Sequence, residues 1–297
     1  MRILHIDTGR DMRGGQYQAL FLMRELVRQG HECALLAPVR APLAAEAAAD
    51  GVRVMTSGIR GLARAAREFD VVHAHTGRGH TLAAVCGVRP LVVARRVAFS
   101  IRGDPASRCK YRRAARFIAV SEYVKRKLIE ADVPAGRISV VYDGVPLLAE
   151  RSAEEWIVAP ASADPRKGEA LARAAARLAN VPLRVSCDLT ADFSRASFFL
   201  YLTDMEGLGS GALLAMSAGV PVIASSVGGL PEVIEDGRTG LLVRNDPCEV
   251  ARAIERLNTD APLRREMGRR AREQVRARFS IAHMVEGTLE AYQEALA

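Results

Sequence analysis

The chain has 297 residues, of which 49% are hydrophobic, and its formal net charge at pH 7 is +8. This length suits two domains of ordinary size, and because no run of about 18 apolar residues occurs, the sequence excludes an ordinary transmembrane helix. The first apolar run follows Met1 and Arg2 directly, so no signal peptide is expected. The five cysteines are dispersed, without the close pairs of a zinc site, which is typical of a protein in a reducing cytoplasm.

Short apolar runs alternate with helical patterns along the chain. The predicted strands cover residues 3–6, 33–37, 52–55, 71–73, 91–94, 117–120 and 139–141, and a clear helical pattern covers residues 16–29. This alternation predicts an α/β fold with a doubly wound parallel sheet in residues 1–150. The pattern breaks near residues 143–146, and an acidic stretch to residue 155 precedes a new strand. We therefore predict an interdomain link there, a second domain in residues 151–280 and a final helix in residues 281–297.

The excess positive charge lies in the first domain. Residues 1–150 hold 24 Lys and Arg against 14 Asp and Glu, whereas residues 151–297 hold 18 against 20. Such a density attracts phosphate, anionic lipid or nucleic acid, but the few aromatic residues and the lack of a nucleic-acid motif argue against nucleic acid. A plain solvated face is an equally good interpretation. The densest segment carries one acid, Asp104, among nine basic residues: Arg89, Arg95, Arg96, Arg102, Arg108, Lys110, Arg112, Arg113 and Arg116.

Residues 201–243 form the most informative stretch, YLTDMEGLGSGALLAMSAGVPVIASSVGGLPEVIEDGRTGLLV. An apolar strand leads to Glu206, the turn Gly207-Leu208-Gly209 follows, and a small-residue helix comes next; a second strand ends at Gly228-Gly229. Glycine turns and helix N-termini bind anions through backbone N–H groups, and a carboxylate accepts hydrogen bonds from sugar hydroxyls. Because ligands of open α/β sheets lie at the carboxyl ends of strands, the stretch predicts a nucleotide-sugar site, with an ordinary βαβ crossover as the alternative.

This stretch resembles the C-terminal half of family-4 glycosyltransferases. Their pattern runs E-G-F-G, then a second Glu after seven intervening residues, then A-M-x-x-G-x-P-V-x-A and G-G-x-P-E-x-I. Here Glu206 matches the first Glu, and Leu214 replaces the second. Lys167 matches the lysine of the family's G-R-L-x-P-x-K-G motif, in which Ser162 replaces the arginine. The resemblance implies a GT-B fold, in which two Rossmann-like domains face a cleft and the helix of residues 281–297 crosses back to the first domain.

The first domain carries weaker family marks. Gly14 and Gly15 open a helix, as the family's glycine pair near the donor phosphates does, and Arg96 stands where many members have a histidine. The resemblance implies that Arg96 orients the substrate instead. His73 and His75 share a strand face, a geometry that suits a metal, but no third ligand is apparent, so no metal site is predicted.

Glycosyl transfer sets clear requirements for such a site. Breaking the bond between an anomeric carbon and a nucleoside diphosphate leaves negative charge on the phosphate, so cations and N–H donors must hold the phosphates. The side chains of Lys167 and Arg166 could supply the cations. The resemblance implies retaining hexosyl transfer in which the leaving phosphate helps to deprotonate the acceptor, so neither metal nor cofactor is expected. The predicted donor-binding residues are Gly14, Gly15, Lys167, Glu206, Gly207, Leu208, Gly209 and Leu214, and the predicted catalytic residues are Glu206, Lys167 and Arg96.

Two departures from the family pattern bear on activity. Only 38 residues separate Lys167 from Glu206, so we expect a helix–strand unit beside the nucleotide base to be missing, and Leu214 cannot hydrogen-bond a ribose. The main hypothesis is a bacterial lipopolysaccharide or capsule glycosyltransferase at the inner membrane face, with an anionic glycan or glycolipid as acceptor. The alternative is a degenerate binding protein of the same fold, while a sugar-nucleotide epimerase would need acid and base residues that we do not find. The predicted acceptor or membrane residues are Arg95, Arg96, Arg102, Arg112 and Arg113.

Overall fold

The computed structural model describes residues 1–55, 59–97, 101 and 104–297. The chain divides into two compact units. Unit 1 comprises residues 1–144 and 281–297, and unit 2 comprises residues 145–280. Each unit has its own parallel sheet and its own hydrophobic core.

Unit 1 is built on a seven-stranded sheet whose paired strands all run parallel. The strands are β1 (Arg2–Ile6), β2 (Glu32–Leu36), β3 (Arg53–Met55), β4 (Val71–Ala74), β5 (Leu91–Arg95), β6 (Arg116–Ala119) and β7 (Ile138–Val140). The connecting helices are α1 (Gly14–Arg28), α2 (Pro42–Ala49), α3 (Ile59–Ala65), α4 (Gly77–Val85), α5 (Pro105–Arg112) and α6 (Glu122–Ile129). The order β3-β2-β1-β4-β5-β6-β7 confirms the predicted doubly wound sheet.

Unit 2 is built on a five-stranded parallel sheet. Its strands are β8 (Trp156–Pro160), β9 (Leu183–Ser186), β10 (Ala196–Tyr201), β11 (Val222–Ser225) and β12 (Gly240–Val243). Its helices are α7 (Glu169–Leu178), α8 (Leu189–Phe193), α9 (Ser210–Ser217), α10 (Leu230–Val233), α11 (Pro247–Thr259) and α12 (Ala261–Arg278). The strand order is β12-β11-β10-β8-β9, and the crossover from β9 to β10 is only the five-residue helix α8, which the sequence did not predict.

The last helix, α13 (Ile281–Leu296), belongs to unit 1. It packs on α1 and β6, and its Tyr292 is fully buried in the same core as Ile3, Val71 and Val92. Among the described helices, none combines the length and the apolar character that a membrane crossing needs.

Both sheets have a point where the strand order reverses. In unit 1 this switch point lies between β1 and β4, and in unit 2 it lies between β8 and β10. Successive crossovers leave the sheet on opposite faces there, which opens a crevice at the carboxyl ends of the two strands where ligands of such folds bind. We therefore expect functional residues directly after β1, β4, β8 and β10.

Candidate functional site

The structure brings Lys167 and Glu206 together at the switch point of unit 2. Lys167 follows β8, Glu206 follows β10, and the distance from Lys167 Nζ to Glu206 Oε2 is 3.2 Å. The Lys167 side chain is 43% exposed, whereas that of Glu206 is 16% exposed. An ammonium group has three donors, so Lys167 keeps two for a ligand after it binds Glu206.

Tyr201, which was not predicted from the sequence, holds the Glu206 carboxylate in place by a hydrogen bond. Its hydroxyl donates to Glu206 Oε2 over 2.8 Å, while the Gly207 N–H donates to Glu206 Oε1 over 3.0 Å. Burial, reinforced by the Glu206 charge, raises the pKa of Tyr201 well above its ordinary value, so the hydroxyl stays protonated and remains a donor. A tyrosine at the carboxyl end of a strand, five residues before the glutamate, was the available signal.

These bonds leave the Glu206 carboxylate with limited capacity for a sugar. A carboxylate offers about four acceptor positions, and Tyr201, Lys167 and Gly207 occupy three of them. The Gly207 amide, predicted as a phosphate donor, instead points at Glu206 in this structure. The N–H groups of the first turn of α9 have no partner within their helix, so they are the better anion donors at this edge.

Glycines let the loops of unit 2 pack backbone against backbone. A Cβ on Gly228, where φ is +61°, would lie 1.9 Å from the Glu206 carbonyl oxygen, and one on Gly229 would lie 2.2 Å from the Gly207 carbonyl oxygen. A Cβ on Gly168, where φ is +68°, would lie 2.4 Å from the Leu202 carbonyl oxygen. The glycine pair after β11 is thus explained by contact with the Glu206 loop, whereas the sequence pattern predicted that such turns bind an anion.

Hydrogen bonds around the buried side chains of Thr203 and Ser225 hold the same loops together. The Thr203 N–H donates to Ser225 Oγ over 2.9 Å, and Asn245 Nδ2 donates to the Thr203 carbonyl oxygen over 3.0 Å. The Asp204 N–H donates to the Arg166 carbonyl oxygen over 2.9 Å, which ties the Lys167 loop to the Glu206 loop. The Arg166 guanidinium itself is bound by Asp164, with 2.8 Å between Nη2 and Oδ2. Leu214 lies half-buried on α9 and brings no polar side chain to this region.

In unit 1, Gly14 and Gly15 form the first turn of α1, at the carboxyl end of β1. Among the described residues, no side chain caps this helix, and a Cβ on Gly15 would meet nothing within 4 Å. Open space and uncapped N–H groups are what an anion needs at a helix N-terminus. Beside them, Gln16 Nε2 donates to the buried Asp7 carboxylate at 3.1 and 3.2 Å, and burial raises the pKa of Asp7.

Arg96, which follows β5, is held inward beside the switch point of unit 1. Its Nε donates to Asp143 Oδ1 over 3.1 Å, and its Nη1 lies 3.2 Å from His75 Nδ1. The side chains of Arg96 and Asp143 are only 15% and 10% exposed. A small cavity, about 10 Å³ in volume, adjoins Arg96, Asp143 and His73.

His73 and His75 do have a third histidine beside them, so the premise for excluding a metal was wrong. Strand β1 pairs with β4 in a register that sets His5 opposite His73, and one ring nitrogen from each of the three residues lies within 4.8 Å of the others. His5 Nδ1 lies 2.9 Å from His75 Nε2, and His73 Nδ1 lies 2.7 Å from the Tyr292 hydroxyl. Burial, followed by nearby positive or titratable groups, lowers the pKa of all three, that of His5 to about 3.

The remaining predicted basic residues do not share one environment. Arg112 is exposed on α5, Arg113 donates to the Ala84 carbonyl oxygen, and Arg95 is half-buried at the end of β5. Arg102 lies outside the described residues. Gly14, Gly15 and Arg96 belong to unit 1, and Lys167 and Glu206 to unit 2, so a joint role for these residues stays a prediction.

Comparison with known proteins agrees with this geometry. Residues 12–147 match the family described as Glycosyltransferase Family 4, and residues 134–260 match Glycosyl transferases group 1. The chain is 33% identical over 172 residues to a D-inositol 3-phosphate glycosyltransferase of Streptomyces bingchenggensis, a match that covers 56% of the chain and 38% of that protein. It is 42% identical over 108 residues to an alpha-maltose-1-phosphate synthase of Mycolicibacterium smegmatis, a match that covers 34% and 28%. The chain thus spans less than two-fifths of the length of either relative.

A solved structure shows the same fold over nearly the whole chain. Anabaena HepE, crystallised in complex with UDP and glucose, superposes with a TM-score of 0.86 at 18% identity and covers 98% of both chains. At this identity the likeness concerns the fold. The two parallel-sheet units share the GT-B fold with this structure, and the two family matches, each to less than half of the chain, between them span residues 12–260.

Proposed function

We propose that this protein transfers a hexosyl group, with retention, from a nucleoside-diphosphate sugar to an anionic glycan or glycolipid. The observation that carries the proposal is the Lys167–Glu206 pair, anchored by Tyr201 at the switch point of unit 2. A cation with spare donors and a carboxylate with a spare acceptor position suit a ligand that carries both phosphate and hydroxyl groups. HepE, which shares the fold, was crystallised with UDP and glucose, which supports a nucleotide-sugar donor.

The proposed chemistry assigns one task to each group. Lys167 and the first amides of α9 stabilise the charge that grows on the departing diphosphate, and single donors of this kind are worth roughly 3 kcal/mol in a transition state. Glu206 accepts a hydrogen bond from a donor-sugar hydroxyl. The departing phosphate takes the acceptor proton, so the scheme uses no metal and no cofactor. In unit 1, Gly14 and Gly15 offer N–H groups to phosphate, and Arg96 orients the acceptor.

The acceptor has two candidate classes. The one-sided charge of residues 1–150 favours an anionic glycolipid, as in lipopolysaccharide or capsule synthesis. The two curated relatives are named for inositol 3-phosphate and maltose 1-phosphate, which favours a small phosphorylated polyol or sugar instead. Transfer assays with both classes, each in phosphorylated and dephosphorylated form, distinguish them, because only an anionic subsite discriminates between the two forms.

Donor binding is tested first, by thermal shift with uridine, guanosine and adenosine diphosphate sugars. A ligand at a hundredfold excess over its Kd stabilises the protein by about 2.7 kcal/mol, which a melting curve resolves readily. Lys167→Met should abolish the shift, whereas Arg173→Met, which removes an equal charge from an exposed ion pair on α7, should keep it. If both variants respond like the native protein, Lys167 is not at the donor site.

Catalysis is tested by hydrolysis of the donor and by transfer. Glu206→Gln should lower kcat/KM strongly without unfolding the protein, and Glu255→Gln, on the exposed side of α11, should not. The competing hypothesis is a degenerate protein that retains the fold and no longer catalyses transfer, which Ser162 and Leu214 favour. A donor that stabilises the protein and is never consumed would support that hypothesis and overturn ours.

We further propose that the protein acts in the cytoplasm at the inner membrane face. Basic residues near an anionic bilayer each contribute up to about 1 kcal/mol, so the protein should sediment with anionic vesicles and be released by salt. Exchanging Arg89 and Arg112, both exposed, for Glu should weaken this binding, whereas the same exchange at Arg252 and Arg256 on α11 should not. Equal sedimentation with neutral vesicles would refute the membrane role.

A further inference from the structure

One face of the unit 1 sheet carries buried polar residues towards the carboxyl ends of its strands. The register of β1, β4 and β5 sets His5 opposite His73 and His73 opposite Val92. Side chains two apart on a strand share a face, so His75 and Arg96 continue on the same side. His5, His73 and His75 are 0%, 1% and 8% exposed. Burying a polar group without a hydrogen bond costs free energy, so we expect these side chains to be hydrogen-bonded to one another or to their neighbours.

Arg96 determines where the ring protons lie. A guanidinium donates and never accepts, so His75 Nδ1, at 3.2 Å from Arg96 Nη1, must be an acceptor. In a neutral imidazole the proton is then on His75 Nε2, which lies 2.9 Å from His5 Nδ1 and donates to it. His5 must therefore carry its own proton on Nε2, a buried atom without a hydrogen-bond partner among the described residues.

The rings have to be neutral for this chain of bonds to exist. Burial lowers the pKa of His5 to about 3 and that of His75 well below its ordinary value, and the Arg96 charge acts in the same direction. At neutral pH both rings are therefore uncharged, and each has one donor and one acceptor nitrogen.

We propose that His75 is a positioning residue for the transfer reaction. Its Nδ1, made an acceptor by the bond that its Nε2 donates to His5, fixes one edge of the Arg96 guanidinium, while Asp143 fixes the other. The remaining N–H groups of Arg96 bind no described residue, so they are available to a negatively charged acceptor. The inference rests on the proposed function, because Arg96 is assigned there to the acceptor.

Three histidines are ligands of a type that binds divalent transition metals, but the distances between these three disfavour metal binding. Nitrogen ligands of tetrahedral zinc lie about 2.0–2.1 Å from the ion and hence roughly 3.4 Å apart, whereas His5 Nδ1 and His75 Nε2 are at hydrogen-bond distance, 2.9 Å. Binding through His75 Nε2 would move its proton to Nδ1, directly opposite an N–H of Arg96. The guanidinium charge would also repel the ion.

Two substitutions at His75 separate positioning from packing. In His75→Asn the amide oxygen stands near the position of Nδ1 and can accept from Arg96, whereas in His75→Gln the amide nitrogen stands near Nε2 and only the bond to His5 is kept. Losing a hydrogen bond to a charged group slows a reaction by about 10-fold to 100-fold when the bond stabilises the transition state. His75→Gln should therefore lower kcat of transfer by that factor. His75→Asn should stay within about threefold of the native kcat. Both variants should keep the native thermal shift with the nucleotide sugar, because His75 is not among the residues proposed to bind the donor.

Ring nitrogen NMR on the native protein provides a test that does not depend on turnover. We expect His5 and His75 both as the Nε2–H tautomer, and Arg96→Met should release His75 from this form. If the native protein consumes no donor, the proposed function is wrong. The tautomers of His5 and His75 still test the hydrogen bonds that join His5, His75 and Arg96. Equal losses of kcat in the two His75 variants, an Nδ1–H tautomer for His75, or shifts of all three ring signals with one equivalent of zinc would overturn the inference.

Discussion

Lowering the pH should destabilise unit 1 while leaving unit 2 unaffected by histidine titration. Burial lowers the pKa of His5 and of His80 to about 3, and it lowers those of His73 and His75 in the same direction. In the unfolded chain a histidine titrates near its ordinary pKa of about 6.5. The folded state therefore binds fewer protons, and the stability that these residues contribute is complete above about pH 6.5. The contribution of His5 and His80 is lost as the pH falls towards about 3, and that of His73 and His75 is lost in the same direction.

The size of the effect follows from this difference. At about pH 5, each histidine that remains neutral in the folded state and titrates near 6.5 in the unfolded chain reduces the free energy of unfolding by about 2 kcal/mol. His5 and His80 together should reduce it by about 4 kcal/mol, with His73 and His75 adding to the loss. Folded domains are stable by only about 5–15 kcal/mol, so unit 1 should approach its unfolding threshold.

The chain supplies an internal control for this measurement. Unit 2 contains no histidine, and it contains the single tryptophan, Trp156. Hydrogen exchange is measured in a series of urea concentrations, once at about pH 7.5 and once at about pH 5. We expect peptides from β1 and β4 to show a lower free energy of unfolding at the lower pH, while peptides from β8 and β10 change little. Replacing His80 by Phe, which keeps the contacts with Tyr111 and Phe117, should reduce the pH-dependent loss by about 2 kcal/mol. A free energy of unfolding for unit 1 that is flat over this range would refute the assignment of neutral histidines.

Further variants test unit 2. Tyr201→Phe should leave the fold intact and weaken the donor-induced thermal shift, since Glu206 loses a bond worth about 1.5–3 kcal/mol; an unchanged shift would show that Tyr201 does not position the carboxylate. Leu214→Glu should tighten nucleotide binding by up to about tenfold in calorimetry if a ribose lies near it, and no gain would point to the short β9–β10 crossover as the defect. Gly228→Ala should destabilise the protein by more than about 3 kcal/mol in urea titration, because the methyl group meets the Glu206 carbonyl oxygen. Gly237→Ala shares the positive φ but enters open space, so it should cost only about 1–2 kcal/mol, and equal losses would exclude the contact as the cause.

Much of the fold could be predicted because its signals are local. The strands of a parallel sheet are buried on both faces and appear as short apolar runs, and helical patterns must separate them because parallel neighbours need a crossover. Ser121 caps α6, with 3.1 Å from the Val124 N–H to Ser121 Oγ, and such a cap is a local signal because it depends only on residues three apart. Glu206 was recognised for a similar reason, because it follows an apolar strand and ligands bind at the carboxyl ends of strands, whereas Lys167 was recognised from its match to the family's lysine motif.

The order of the strands could not be read from those runs, and the site in unit 1 depends on it. His5 and His75 are 70 residues apart, and they touch because β1 lies beside β4 and not only beside β2. The same ordering turns Arg96 inward to His75 and Asp143, although its sequence neighbours predict a solvated basic run. Local sequence determines which face of its strand a side chain occupies, whereas strand neighbours are selected by the packing of the whole sheet. Only the tertiary structure therefore decided that His5, His75 and Arg96 form one buried, hydrogen-bonded group, with the His73 ring packed beside it.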